Sequence, residues 1–237
     1  MWFPKWSFDP QYLPSLEELC TIKADTNTWS FWKSDFIAHN PLWTPFQVLN
    51  DEFIKWLSEE LLKVINKISK NNIKILEVWA GSWRLSYFLR KELIIENTRK
   101  IVDIIATDNF SWFADDFEEK TMWAMYLKKY EWINVENLNI EESIKKYNPD
   151  LIISSWMPEW EEWTSFFRKS KNLNSFLLIW APIDCWTINS WKECENFKPK
   201  KLEIEWNICW RDLSFEWNNI KKWSSKSQSK IILFERK

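Results

Sequence analysis

The sequence predicts an α/β protein built on a mostly parallel sheet with helices on both faces. Three observations carry this. Short β-branched or apolar runs alternate with amphipathic segments from residue 50 onward. Two of those runs end in an acidic residue, Asp108 directly and Glu77 one residue before the close of its run. The first of them leads into a tight turn and then a helix, Ile-Lys-Ile-Leu-Glu-Val-Trp-Ala-Gly-Ser-Trp-Arg-Leu-Ser from Ile73 to Ser86, the outline of a strand feeding a nucleotide-binding loop.

Residues 1 to 44 are rich in Pro, Ser, Thr, Asn and aromatics without a sustained period, and read as an irregular arm closed by His39-Asn40-Pro41-Leu42-Trp43. His39 is the only histidine, and reads as a packing or capping residue before a proline or as a substrate contact. From Asn50 to about Lys70, Phe53, Leu57, Leu61, Val64, Ile65 and Ile68 recur at spacings of three and four, which predicts an amphipathic helix capped by Asn50-Asp51 and covering one sheet face. Asn71-Asn72 ends it and launches the first strand, Ile73 to Val78.

Leu85, Phe88, Leu89 and Leu93 give a second helix, and Ile101 to Thr107 a second strand ending in Asp108. A helix is expected from about Asp115 to Lys129, with two aspartates at its positive end. Strands follow at Ile133 to Leu138, Asp150 to Ser154 and Phe176 to Ile179, with one or two helical turns over Ile140 to Tyr147. The tail breaks the rhythm. Lys201 to Cys209 and Lys230 to Glu235 are expected to pair as an antiparallel hairpin at the sheet edge, with a solvated loop between them. The expected division is an arm and covering helix over residues 1–72 and an α/β domain over 73–237.

The turn after Val78 contains a contradiction. Trp79 and Trp83 stand where the backbone must bend sharply and let a ligand approach, positions that call for a residue without Cβ. The chain as a whole has 21 Trp and 1 Gly. Glycine is ordinarily about 7% of residues, or roughly 17 in a chain of this length. One mechanism exchanges the two without touching any other residue: a genome that reads UGA as glycine, translated with a table that reads UGA as tryptophan. The abundance of Lys, Asn and Ile with few Arg fits an AT-rich genome. On that reading Trp160, Trp180 and Trp186 are further glycine positions, whereas Trp43, Trp156 and Trp206 are genuine. The literal alternative is an aromatic-rich binding protein, for example for carbohydrate.

With glycine at 79 and 83 the stretch becomes Leu-Glu-Val-Gly-Ala-Gly-Ser-Gly-Arg-Leu-Ser. It then resembles the first motif of the class I S-adenosylmethionine-dependent methyltransferases, an acidic residue followed by three glycines at alternate positions. The resemblance covers roughly residues 73 to 180 and includes Asp108 and, after the third strand, Asn139. A dinucleotide-binding turn would place its third glycine one residue later. The resemblance implies a Rossmann-like seven-stranded, mostly parallel sheet with an antiparallel C-terminal hairpin, and S-adenosyl-L-methionine as cofactor. It implies a cofactor site of Glu77, Trp79, Ala80, Gly81, Trp83, Asp108, Asn109, Asn139 and Ser155. Glu77 would help hold the amino-acid end, Asp108 the ribose and Asn139 the adenine amine, although Asn139 departs from the commoner aspartate.

The segment Ser154 to Trp163 after the fourth strand would border the transferred methyl. It lacks the Asn/Asp-Pro-Pro-aromatic motif of enzymes that methylate nucleobase or glutamine nitrogens. Glu159, Glu161 and Glu162 read as a charged helix start, and Asp184 as a turn residue or a site residue. If the acceptor needs a base, His39 and Glu159 come first, with no catalytic residue assigned. The alternative from another class is an inactive cofactor-binding scaffold or partner subunit on the same fold.

A net charge of −2 with interspersed signs gives no indication of nucleic acid or an anionic membrane as partner, so a small-molecule or protein substrate is expected. Cys20, Cys185, Cys194 and Cys209 form no Cys-x-x-Cys pair, and one histidine completes no metal spacing, so free thiols and no metal are expected. No leader and no apolar run of about 20 residues is seen, which predicts a cytoplasmic protein.

Overall fold

The computed structural model describes residues 11–15, 17–18, 47–81, 83–95, 99–109, 134–155, 162–180, 188–192, 194–203, 208–209 and 230–237. The helix expected over Asp115 to Lys129, most of the N-terminal arm with His39, and Asp184 lie outside them.

Helix α1, Asp51–Lys67, begins where Asn50 accepts the Phe53 amide at 2.8 Å on its side chain. Asp51 and Glu52 in the first turn and Lys67 in the last complement the helix dipole. Its apolar stripe, Phe53, Leu57, Leu61, Val64 and Ile65, is buried. Strand β2, Asn72–Val78, follows after a short turn, and helix α2, Arg84–Ile95, packs beside α1.

The remaining strands are β3 (Ile101–Asp108), β4 (Val135–Asn137), β5 (Leu151–Ser155) and β6 (Ser175–Trp180). Helix α3 (Ile140–Tyr147) lies between β4 and β5, and α4 (Thr164–Lys169) between β5 and β6. A 3-10 turn at Ile188–Trp191 precedes β7 (Phe197–Leu202), and β8 (Ile208–Cys209) and β9 (Lys230–Arg236) complete the described strands. The seven-stranded sheet runs β4-β3-β2-β5-β6-β9-β7, parallel except at β9. This is a Rossmann-like sheet: the chain moves outward from β2 through β3 to β4, then returns to place β5 on the other side of β2. The carboxyl ends of β2 and β5 thus form a topological switch point, where open α/β sheets bind ligands.

Both faces are covered, so the central strands are apolar on both sides. Ile73 and Ile75 of β2, Leu151 and Ile153 of β5, and Leu177 and Ile179 of β6 face the layer of α1 and α2. Leu76 and Val78, Ile152, and Phe176 and Leu178 belong to the core on the side of α3 and α4. At the opposite end of the sheet, buried Asp150 accepts the Lys74 amide at 3.0 Å and the Lys70 ammonium at 2.6 Å, which fixes β5 against β2.

The tail differs from expectation. The antiparallel C-terminal pair is present, but the partner of β9 is β7, which starts at Phe197 and shares only Lys201 and Leu202 with the expected stretch, and β9 itself lies inside the sheet between β6 and β7. Ile208–Cys209 pairs instead with β1, Gln47–Val48, in a separate two-stranded sheet. Pro199 and three lysines make β7 read poorly as a strand, yet an edge strand tolerates a residue with no N–H and is protected by its charges. Phe176 stacks on Phe234 at 4.4 Å and meets Phe197 at 5.1 Å, tying the three strands together. Helix α4 follows closely on Glu162, the end of the expected charged helix start, and at 6 residues it is too short to show a period.

Candidate cofactor-binding site

The site is built from the loop that leaves β2. Trp79, Gly81 and Trp83 have φ of 58°, 49° and 60°, so every second residue is left-handed. For an L-residue with a side chain that conformation costs roughly 1–2 kcal/mol, and only glycine adopts it routinely. The loop is fixed twice to the end of β3: the Ala80 amide donates to the Thr107 carbonyl at 3.1 Å, and the Gly81 amide donates to Asp108 Oδ2 at 2.8 Å. The Trp83 amide closes the turn on the Ala80 carbonyl at 2.8 Å, and the Tyr87 amide on the Trp83 carbonyl begins α2. Ser82 lies outside the described residues.

Glu77 is buried on the α2 side of β2. Its Oε2 accepts the Ser86 amide at 3.0 Å and also the Ser86 hydroxyl. Burial pushes this carboxyl up to about 7, the Ser86 hydrogen bonds oppose the shift, and the negative charge of Asp108 adds to it. Ser86 did not enter the expected site. Its signal was available: it shares a helix face with Leu89 and Leu93, and a hydroxyl on an apolar stripe must find a partner.

Asp108 is buried at the end of β3, and Asn109 follows it, half-buried. Ser154 and Ser155 are buried at the end of β5. Asn139 is exposed and caps α3, accepting the Glu142 amide at 2.9 Å while Glu142 accepts the Asn139 amide at 3.1 Å. Glu77, Trp79, Ala80, Gly81, Trp83, Asp108, Asn109 and Ser155 therefore gather at the carboxyl ends of β2, β3 and β5. Asn139 starts the helix after β4, its side-chain oxygen engaged in the cap. The described piece of the arm reaches the same end: the Arg84 guanidinium donates to the Tyr12 carbonyl at 2.9 Å, and the Asp51 amide to the Pro14 carbonyl at 3.0 Å.

The two indoles are the misfit. Trp79 packs into the core on the side of α3 and α4, with its ring edge-on to Trp163 at 5.6 Å and its buried Nε1 without a hydrogen-bond partner among the described residues. Trp83 is fully buried against Ala80, Ala106, Tyr87 and Val135, filling the space between α2 and the ends of β3 and β4. The backbone, with its left-handed residues and the two carboxylates Glu77 and Asp108, fits a nucleoside-bearing ligand. The side chains at 79 and 83 do not, because they occupy the room beside that backbone.

Among the described residues no group of three or more metal-ligating side chains is found, Cys194 is a free thiol, and no helix is long and apolar enough to cross a membrane. Glu159, Glu161 and Trp156 lie outside the described residues.

The chain matches no family model and no curated protein sequence. Solved structures resemble it in part, at low identity. The CurJ carbon methyltransferase is 15% identical with a TM-score of 0.47, over 77% of this chain and 53% of that one. The DszA carbon methyltransferase is 15% identical with a TM-score of 0.46, over 78% and 54%. A SAM-dependent O-methyltransferase from Thermotoga maritima is 11% identical with a TM-score of 0.42, over 80% and 66%. The chain thus spans about half the length of the two carbon methyltransferases.

Proposed function

We propose that this chain is a class I S-adenosylmethionine-dependent methyltransferase whose working form carries glycine at most positions written here as tryptophan, including 79 and 83. The observation that supports this best is the loop backbone. Left-handed residues at 79, 81 and 83 stand at alternate positions between a buried Glu77 and an Asp108 that already accepts a loop amide. UGA decoded as glycine accounts for both the loop and the inverted Trp and Gly counts.

In this reading Asp108 holds the ribose, and the backbone at Trp79, Ala80, Gly81 and Trp83 passes against the cofactor. Glu77 steadies the start of α2 through Ser86 and presents negative charge toward the amino-acid end. Asn109, Asn139 and Ser155 complete the surround. The cofactor, when bound, supplies a methyl group activated on a sulfonium. The chain contributes alignment of the acceptor and exclusion of water, which together account for much of a displacement's acceleration. The acceptor is a small molecule or a protein, met in the cytoplasm.

The experiment uses the Trp79→Gly/Trp83→Gly protein with methyl-labelled cofactor and fractionated cell extract. Label transferred to an extract component supports the reading. Cofactor binding without transfer to any fraction favours an inactive scaffold, and absence of binding overturns both. The codon at each position is the companion test, since TGG at 79 and 83 contradicts recoding.

A further inference from the structure

Resting on the reading above, we infer that Trp163 is a further glycine position, and that the indoles of Trp79 and Trp163 fill the acceptor compartment of this protein, a pocket for a small, flat, uncharged acceptor bearing one polar group. The compartment lies on the α3 and α4 side of the switch point, across the sheet from Glu77 and Ser86.

Three observations lead there. First, Trp163 occupies the N-cap position of α4 but makes no side-chain cap hydrogen bond. Glycine serves at an N-cap far better than a large aromatic. Second, the Trp163 Nε1 is buried without a partner among the described residues, as is that of the adjoining Trp79. Two neighbouring indoles that each bury an unsatisfied donor are poorly suited to the space they fill, because a buried polar group ordinarily finds a partner.

Third, Ser154 Oγ is buried and also lacks a partner among the described residues. Ser154 stands in register with Val78 on one side and Leu178 on the other. Register neighbours point to the same face, so the hydroxyl sits in the row of the apolar core that takes up Trp79 and Trp163. Removal of both indoles would open space beside Phe166, on the sheet face that carries Val78, Leu178 and the Ser154 hydroxyl. Phe166 stacks on Trp163 at 6.4 Å between centroids, and would stack on a planar guest in the same way. A single hydroxyl among apolar walls selects for a neutral ring with one hydroxyl or amine and against a charged acceptor.

Phenol is the probe. The Trp79→Gly/Trp83→Gly/Trp163→Gly protein is expected to bind it, the protein retaining Trp163 at least tenfold more weakly, and a Ser154→Ala version of the triple variant roughly five-fold more weakly, as loss of one hydrogen bond implies. Equal phenol binding with and without Trp163, or no effect of Ser154→Ala, overturns the pocket. Should the triple variant not fold, the codon decides the position: TGA at 163 supports it and TGG overturns it. Binding of S-adenosylhomocysteine by the Trp79→Gly/Trp83→Gly protein reports separately on the cofactor reading, so failure of one is distinguishable from failure of the other.

Discussion

The Gly81 amide donates to Asp108 Oδ2 at 2.8 Å, joining the loop after β2 to the end of β3. Beside this bond Glu77 is held by Ser86, so two buried carboxyls brace the loop from either side. The site is thus already shaped by its own hydrogen bonds, and each of them can be tested.

Glu77 gives stability a pH dependence. Its carboxyl is raised from 4.5 to about 7 in the folded chain, chiefly by burial. A group whose folded value is raised binds more protons in the native than in the unfolded state, so its contribution is complete below the unfolded value and lost as pH rises through about 7. The shift corresponds to roughly 3 kcal/mol between about pH 5 and about pH 8. Urea unfolding at the two pH values should show this loss, and Glu77→Gln should remove most of it. Ser86→Ala strips the carboxyl of its hydroxyl partner and is expected to cost about 1–3 kcal/mol at about pH 8.

Truncating a well-fitted core tryptophan costs roughly 3–5 kcal/mol. Trp79→Gly should cost far less. It relieves a left-handed residue, roughly 1–2 kcal/mol, and a buried unsatisfied indole N–H, roughly 1–3 kcal/mol. A net loss under about 2 kcal/mol in urea unfolding is expected, and a loss above about 3 kcal/mol would mark Trp79 as a properly packed core residue.

Asn139 separates cap from contact. Asn139→Ala should lower stability by about 1 kcal/mol through the lost N-cap, whereas Asn139→Asp keeps the cap. If the residue also reads the adenine, calorimetry with S-adenosylhomocysteine in the Trp79→Gly/Trp83→Gly background will show Asn139→Asp binding at least as well as that background protein and Asn139→Ala more weakly. Equal binding by both would confine Asn139 to capping.

Much of this is legible in the sequence. The stripe from Phe53 to Ile68 announced α1, and the apolar runs ending near Glu77, Asp108 and Ser155 announced the core strands, because a strand buried on both faces needs an uninterrupted apolar run. What was not legible has physical reasons. The strand with Pro199 is permitted only by its edge position, which depends on where β9 inserts. The pairing of Gln47–Val48 with Ile208–Cys209 joins two-residue strands far apart in the chain, too short to carry a period. The Ser86 contact to Glu77 needs the helix docked on the strand before the partner is evident. The misfit at 79 and 83 was visible from residue type alone, since bulk at a tight turn conflicts with steric limits that hold in any fold.

The central claim is tested most directly by calorimetric titration of S-adenosylhomocysteine into the chain as written and into its Trp79→Gly/Trp83→Gly variant. The account predicts binding by the variant at least about 30-fold tighter, since displacing two buried indoles would cost the written chain more than roughly 2 kcal/mol. Equal affinity of the two proteins, or no binding by the variant, would contradict it.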